Sequence, residues 1–168
     1  MADESGSGWD ERWDSARVVQ SAMKGEVESV EKVLGGPLRE AALGAETAQA
    51  GSLLHAAVRG GHEDMVSVVL RAMAEVGMDV DVRDRNGDTP LHVAAWRGYA
   101  SVAILLLEAG ASKSAMNEDT HLPGDLIGIS EFANQDAEEL ALLAAVLSEP
   151  PPAEAIASDS DGAYSDTD

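Results

Sequence analysis

The sequence predicts an all-α fold in which short helix pairs stack into a row, and three observations support that prediction. First, the pattern Leu-His-x-Ala begins at Leu54 and again at Leu91, each time followed by a glycine and a second helical stretch. Second, these stretches place apolar residues at i, i+3, i+4 and i+7, which is the period of an amphipathic helix. Third, one such pair cannot bury its apolar stripe alone, so neighbouring copies have to supply the other wall.

The segment 84–115 marks one repeat unit most clearly. Its Asn-Gly turn ends at Gly87, which can adopt φ > 0 without a Cβ clash. Thr89 can cap a helix whose first residue is Pro90, where the missing N–H costs nothing. Gly98 is placed to end this helix in a left-handed conformation. A second helix follows, closed by a glycine, with its apolar stripe at Val102, Leu105, Leu106 and Ala109.

The run Thr-Pro-Leu-His-x-Ala at 89–94 completes a pattern that resembles one ankyrin repeat almost position for position. The resemblance extends, less regularly, to four repeats, and it implies an ankyrin-repeat solenoid of helix-turn-helix units joined by short turns or hairpins. The first and last repeats are predicted to cap the stack. Outside the repeats we expect a flexible leader at 1–12 and an acidic disordered tail at 149–168. The predicted repeats are 13–36, 47–83, 84–116 and 117–148.

Two irregularities are expected in the first half of the chain. From Leu54 to Leu91 the spacing is 37 residues, whereas an ankyrin repeat has about 33. The surplus is about one helical turn, which we place in a second helix running from 63 to about 76. The segment 36–51 lacks the turn signature of the family, and we expect a short helical turn at 38–43.

The fourth repeat departs from the family pattern at its turn. Thr120 stands where the third repeat has its turn glycine, and Leu122 replaces the threonine, so the sequence leaves this turn geometry open. The last helix is better marked, because Asp136 can cap it and Glu139 stands at the capping-box position. Its predicted apolar side consists of Leu140, Leu143, Ala144 and Leu147.

Composition and charge exclude several classes of function. The 168 residues have a formal net charge of −20, and all 11 Lys and Arg lie at or before Lys113. Nucleic acid and anionic membranes would be repelled by the acidic end, because affinity for both rests on basic side chains. The longest apolar run is too short for a membrane span, and the N-terminus has no secretory pattern. The absence of cysteine rules out disulfides and thiolate chemistry.

No residue constellation indicates catalysis, a cofactor or a metal site. His55 and His92 occupy the Leu-His position, where the resemblance implies that the imidazole bonds the turn threonine and neighbouring backbone. No two of the four histidines lie at i, i+3 or i, i+4, the spacing of a helical metal-ligand pair. The calcium-loop pattern that begins at Asp84 fails at its sixth and twelfth positions. We therefore predict a protein that is not an enzyme.

The resemblance implies where a partner protein would bind. Ankyrin domains generally use the turn tips and the exposed side of the first helices. Trp96 is the strongest candidate contact, because a large aromatic stands at a usually polar position and Trp dominates interface hot spots. The alternative is that Trp96 packs on Arg59 or Arg97 and matters only locally. The predicted partner-binding residues are Trp96, Arg97, Arg85, Asp88, Arg59, Lys24 and His121.

Two classes of function remain open. The first is a non-catalytic interaction module that binds a protein on its concave face, as an adaptor or as a regulatory or inhibitory subunit; we expect a monomer in the cytoplasm or nucleus. The alternative is an acidic-tailed chaperone or mimic whose tail binds a basic client. Ser158 and Ser165 each precede an acidic residue by three positions and are candidate phosphorylation sites. A second contact face is expected if Ile104, Leu142 and Val146 cluster.

Overall fold

The computed structural model describes residues 14–47, 51–129 and 136–148 of the chain. This part is mostly helical, with one short antiparallel ladder between β1 (Glu46–Thr47) and β2 (Gly51–Ser52). Within the described part, no helix combines the length and apolar character that a membrane crossing requires. The helices are α1 (Ser15–Lys24), α2 (Val27–Leu34), α3 (Arg39–Leu43), α4 (Leu53–Gly60), α5 (Glu63–Val76), α6 (Pro90–Arg97), α7 (Ala100–Glu108) and α8 (Ala137–Ser148), with a 3₁₀ turn at Pro123–Leu126.

The helices lie in two rows with the hydrophobic core between them. We call α1, α4, α6 and the 3₁₀ turn the inner row, and α2, α5, α7 and α8 the outer row; each member packs against the next in its row. Leu54 and Leu91, which carry the repeated sequence pattern, are both fully buried in the inner row. The predicted all-α stack of helix pairs is therefore confirmed.

Glycines at the hinge between inner and outer helices set the register of the stack. Gly25, Gly61 and Gly98 have φ of 74°, 70° and 75°, in the left-handed region where a side chain is strained. A Cβ on Gly25 would lie 2.7 Å from the ring of His62, and one on Gly61 would lie 2.8 Å from the ring of Tyr99. Each of these two glycines is thus the place where a side chain of the next repeat packs against the chain.

Buried His55 links α4 to the turn that follows α5. Its Nε2–H donates to the backbone carbonyl of Asp88 at 2.8 Å, and its Nδ1 lies 2.8 Å from the Ser52 hydroxyl. Because a carbonyl only accepts, Nε2 carries the proton and Nδ1 is the acceptor. Burial lowers the pKa of His55, which keeps the ring in the neutral form that these bonds use.

His92 makes the corresponding link one repeat later. Its Nε2–H donates to the carbonyl of His121 at 3.0 Å, while its Nδ1 accepts from the backbone N–H of Thr89 at 3.1 Å. Thr89 precedes α6 as its cap, and Pro90 is the first helical residue, as expected. The two histidines therefore have structural roles, and they hold successive turns in line.

The apolar stripes of the outer helices agree with the sequence in α5 and differ in α7 and α8. In α5, Val66, Val69, Leu70 and Met73 are all buried, and the helix spans the expected residues. In α7 the expectation for Ala109 was wrong, because the helix ends at Glu108 and Ala109 is exposed. Ala103 is buried instead. In α8 the expectation for Ala144 was also wrong, since α8 ends the outer row and only Leu143 is fully covered.

The inserted helix α3 covers the extra last turn of the longer helix α5. Helix α5 has 14 residues whereas α7 has 9, so its last turn extends past the regular repeat. Helix α3 packs against α5 there, and Arg39 of α3 forms an ion pair with Glu75 in that last turn. The short helical turn expected at 38–43 is thus present, and it covers the end of α5.

The turn at 117–121 repeats the geometry of the turn at 84–88 without a glycine. Thr120 has φ of 63°, close to the 72° of Gly87 at the position 33 residues earlier. The backbone N–H of Asn117 donates to the His121 carbonyl at 3.1 Å, just as that of Asp84 donates to the Asp88 carbonyl at 2.9 Å. The turn geometry that the sequence left open is therefore left-handed, and the helix that follows is reduced to a 3₁₀ turn.

Candidate protein-binding surface

One position recurs near the end of successive inner elements, and its residue is exposed in three of four cases and half-buried at Arg59. Met23, Arg59 and Trp96 each stand two residues before a hinge glycine, and Ile129 follows Trp96 by the 33-residue repeat. We call these four residues the concave row. The backbone supports this register, because the N–H of Gly128 donates to the carbonyl of the residue before Trp96, at 3.0 Å.

The concave row collects exposed apolar side chains. Met23 is 41% exposed, Trp96 38% and Ile129 62%. Among the described residues, the exposed large apolar side chains number five, and the remaining two are Met116 and Leu142. Three of the five thus share this position in the repeat pattern.

Trp96 is exposed and is stacked against its neighbour at the same time. The guanidinium carbon of Arg97 lies 5.3 Å from the centroid of the Trp96 ring. Such a cation–π contact contributes about 0.5–1 kcal/mol at an exposed site. The local packing considered from the sequence therefore exists, and it leaves the ring accessible to a partner.

Arg59 is tied to the next repeat. Its guanidinium forms an ion pair with Asp84 at 3.1 Å, and the Asp84 side chain is only 4% exposed. The same carboxylate accepts from the backbone N–H groups of Asn86 and Asp88 at 2.9 and 3.1 Å. Arg59, predicted as a contact residue, thus has its charge balanced within the protein and helps to hold the turn.

Asp88 is also engaged between repeats. Its Oδ1 accepts from the side-chain amide of Asn117 at 2.8 Å, and its carbonyl accepts from His55. The side chain lies half-buried at the turn tip. The structure therefore gives Asp88 a positioning role alongside any contact that it makes with a partner.

Three other predicted contact residues are exposed. Lys24 ends α1, Arg85 lies on the tip of the turn before α6, and His121 lies on the following tip. The backbone N–H of His121 donates a hydrogen bond to Asn117 Oδ1 at 2.9 Å, while the residue stays exposed. Met23, Trp96 and their basic neighbours thus extend over several repeats.

Other sequence-based expectations concern the two ends of the chain and the outer row. Ser158, Ser165 and the acidic tail lie outside the described residues, as does the leader. Leu142 is exposed, whereas Ile104 and Val146 are half-buried, so a second contact face stays a prediction. Ile129 was missed by sequence analysis, although counting 33 residues on from Trp96 would have found it.

Stacked helix pairs, buried histidines that link successive turns, and exposed side chains in the concave row define a helical-repeat protein of the protein-interaction class. A family model described as ankyrin repeats, in three copies, matches residues 18–117. These 100 residues (117 − 18 + 1) are more than half of the 168-residue chain. The chain belongs to the ankyrin repeat family.

Several curated proteins share part of this sequence. Protein phosphatase 1 regulatory subunit 27 from Mus musculus is 40% identical over 74 residues, which cover 44% of this chain and 46% of the relative. Protein fem-1 homolog C from Bos taurus is 35% identical over 65 residues, covering 39% of this chain and 10% of the relative. The 60 kDa lysophospholipase from Mus musculus is 49% identical over 41 residues, covering 24% and 7%. The chain thus matches less than half the length of each of these relatives.

Proposed function

We propose that this chain is a non-catalytic adaptor or regulatory subunit that binds a partner protein through the concave row and the basic side chains beside it. The single observation that carries the proposal is the exposed Trp96 ring, held by Arg97 in the middle of a row that also exposes Met23 and Ile129. We further propose that it acts as a monomer in the cytoplasm or nucleus.

Trp96 is the proposed anchor because of what it would gain on binding. A tryptophan buries a large, rigid apolar surface, and hot spots of this kind are surrounded by contacts that exclude water. Arg97 restricts the ring before a partner arrives, so less conformational freedom is lost on association. Arg85, Lys24 and His121 would form the polar rim around this centre.

Residues 117–148 are proposed as the fourth, capping repeat. The side chain of Asn117 accepts from the His121 N–H at 2.9 Å, much as Asp84 accepts from N–H groups in the preceding turn. The matching left-handed turn supports the same division. On this proposal Ile129 belongs to the binding surface, as its exposure suggests.

A regulatory role is supported by the name of one relative. That protein is called a regulatory subunit of protein phosphatase 1, and it shares 40% identity with this chain over 74 residues. Protein phosphatase 1 is therefore the first partner to test, and a phosphatase-binding role for this chain rests on that match alone.

The test compares Trp96→Ala with a matched control, Leu142→Ala, which removes an exposed apolar side chain from the outer row. Binding of the full chain to purified protein phosphatase 1, and to partners captured by affinity purification, is measured by surface plasmon resonance. Trp96→Ala should weaken binding by about 30-fold, equivalent to a hot spot of about 2 kcal/mol, whereas Leu142→Ala should change it less than about twofold. Equal effects of the two variants would refute the concave row as the binding surface.

The acidic charge favours the second candidate, an acidic-tailed chaperone or mimic. Residues 114–168 contain thirteen acidic side chains and no lysine or arginine. Binding of a basic client by the tail would collapse at high salt and disappear when 149–168 is removed. Binding through the concave row should survive both changes.

A further inference from the structure

The basic side chains of the described residues differ in pairing between the two sides of the stack. Near the outer row, Arg39 pairs with Glu75, and Arg71 lies 3.6 Å from Glu31. At the inner row and its turn tips, Arg59 is paired with Asp84, whereas Lys24, Arg85 and Arg97 have no carboxylate within 4 Å among the described residues. Within the described part, these three therefore leave positive charge unbalanced at the inner row of a chain whose net charge is −20.

Arg97 is prepared to bind a carboxylate. Its guanidinium stacks over the exposed Trp96 ring, and the residue is half-buried beside the concave row. A planar, restrained guanidinium binds a carboxylate with two parallel hydrogen bonds, which a flexible ammonium cannot do. An acidic partner residue beside Trp96 would complete the arrangement.

The spacing of the concave row distinguishes a helical partner from an extended one. Packed helices lie about 10 Å apart, so successive row positions are separated by roughly that distance. In an extended strand, side chains on one face are spaced by about 6.6 Å or 13 Å, because the side chains alternate. In an α-helix, residues i and i+7 share a face and lie about 10.5 Å apart.

We infer that the concave row takes an acidic amphipathic helix of the partner, with apolar side chains seven residues apart. Two successive apolar residues of that helix would contact Ile129 and Trp96, and a third, fourteen residues beyond the one at Trp96, would contact Met23. Arg59 lies between Trp96 and Met23 in the row. Because its charge is already balanced by Asp84, the partner residue that faces it can be either apolar or acidic. Carboxylates beside the apolar positions would face Arg97 and Lys24. The inference rests on the proposed function and specifies its partner.

The test uses the full chain and three synthetic helical peptides of about 22 residues, long enough to span the row at 1.5 Å per residue. The first carries leucine at every seventh position with glutamates beside it. The second has the same composition with the leucines moved off one face, and the third replaces glutamate by lysine. Dissociation constants are measured by fluorescence anisotropy at 0.15 M salt, where charges beyond about 8 Å are screened.

The acidic heptad peptide should bind at least about tenfold more tightly than either of the others. Arg97→Ala should weaken it about tenfold and Arg97→Lys should restore only part of that loss, whereas Arg71→Ala on the outer row should change little. Equal or tighter binding of the lysine peptide, or no binding of any peptide at millimolar concentration, would overturn the inference.

The outcomes separate this inference from the function on which it rests. Peptide binding that depends on Trp96 but ignores peptide charge or spacing would overturn the inference and leave the proposed function standing. Binding that is insensitive to Trp96→Ala would count against both. If removal of 149–168 alone raises affinity tenfold or more, the acidic segment that occupies the row belongs to this chain, and the inference of a partner helix is wrong.

Discussion

Thr120 offers a sensitive test of the repeat geometry, because a β-branched residue occupies a turn position suited to glycine. Its φ of 63° is left-handed, and the equivalent Gly87 has φ of 72°. The left-handed conformation costs an L-residue roughly 1–2 kcal/mol. We therefore expect that Thr120→Gly removes a strain that the present chain carries.

The expected magnitude is the difference between two effects. Replacing Thr120 by glycine relieves about 1–2 kcal/mol in the folded state, while the added freedom of the unfolded chain costs about 0.4–1 kcal/mol. The turn itself should survive, because the N–H of Thr120 donates to the Asn117 carbonyl at 3.1 Å and involves no side chain. The net gain in the free energy of unfolding should be about 0.5–1 kcal/mol.

The assay is urea and thermal denaturation followed by circular dichroism at 222 nm, with Thr120→Ala as the control. The gain corresponds to a rise in Tm of about 1–4 °C for a domain of this size. Thr120→Ala keeps a Cβ and the left-handed cost, so it should gain less than the glycine variant. A Thr120→Gly protein that melts at or below the wild-type temperature would refute the reasoning.

The reverse exchange, Gly87→Thr, should destabilise the protein by about 2 kcal/mol or more. The new residue would carry the same left-handed strain, and its Cβ would also lie 2.9 Å from the backbone nitrogen of Glu118. Because that atom belongs to the neighbouring turn, relief requires the two turns to move apart. Equal and opposite changes in the free energy of unfolding for Thr120→Gly and Gly87→Thr would show that the close approach at Gly87 contributes nothing to stability.

Two further predictions concern the links between repeats. Gly60→Ala should lower Tm even though alanine favours helices by about 1 kcal/mol, because the new Cβ would lie 2.5 Å from the Met23 carbonyl oxygen in α1; a stabilised variant would contradict this contact. Burial lowers the pKa of His55, so the unfolded chain takes up the proton first as pH falls below about 6.5. The stability from the neutral ring should be complete above that pH and be lost as pH falls, seen as a declining urea midpoint between pH 7.5 and 5.5. If NMR gives a midpoint at or above pH 6.5 for titration of the His55 ring, the lowered pKa is contradicted.

The regular helices of this fold can be predicted from sequence because the capping residues and the apolar periodicity indicate the same elements. Thr89, Pro90 and Gly98 mark the ends of α6 by capping chemistry alone, and the structure places the helix between them. The stripe of α7 was less predictable, since burial of Ala103 and exposure of Ala109 depend on where the neighbouring helices end. Periodicity identifies a helix, and its packing partners decide which side is covered.

The sequence predicted where the candidate surface lies, but not which of its residues are bonded within the protein. Trp96 was identified because an aromatic at a polar position stands out in one repeat. The partners of Arg59 and Asp88 could not be read from sequence, because the bonds to Asp84 and Asn117 cross between repeats. Ile129 lies in the least regular part of the described chain, where only the count of 33 residues from Trp96 points to it.

The same position in successive repeats shows how this surface separates folding from binding. Two residues before the hinge glycine, the inner helix is ending and the core is already filled by residues such as Leu54 and Leu91. A side chain there is free to vary, and in this protein one repeat uses it for an ion pair whereas the others expose Met23, Trp96 and Ile129. Because Arg59 is bonded to the nearly buried Asp84, removing it would leave an unpaired carboxylate and would weaken the turn as well as the surface. Trp96 has its stacking contact within its own helix, so its removal should act on the partner and spare the stack.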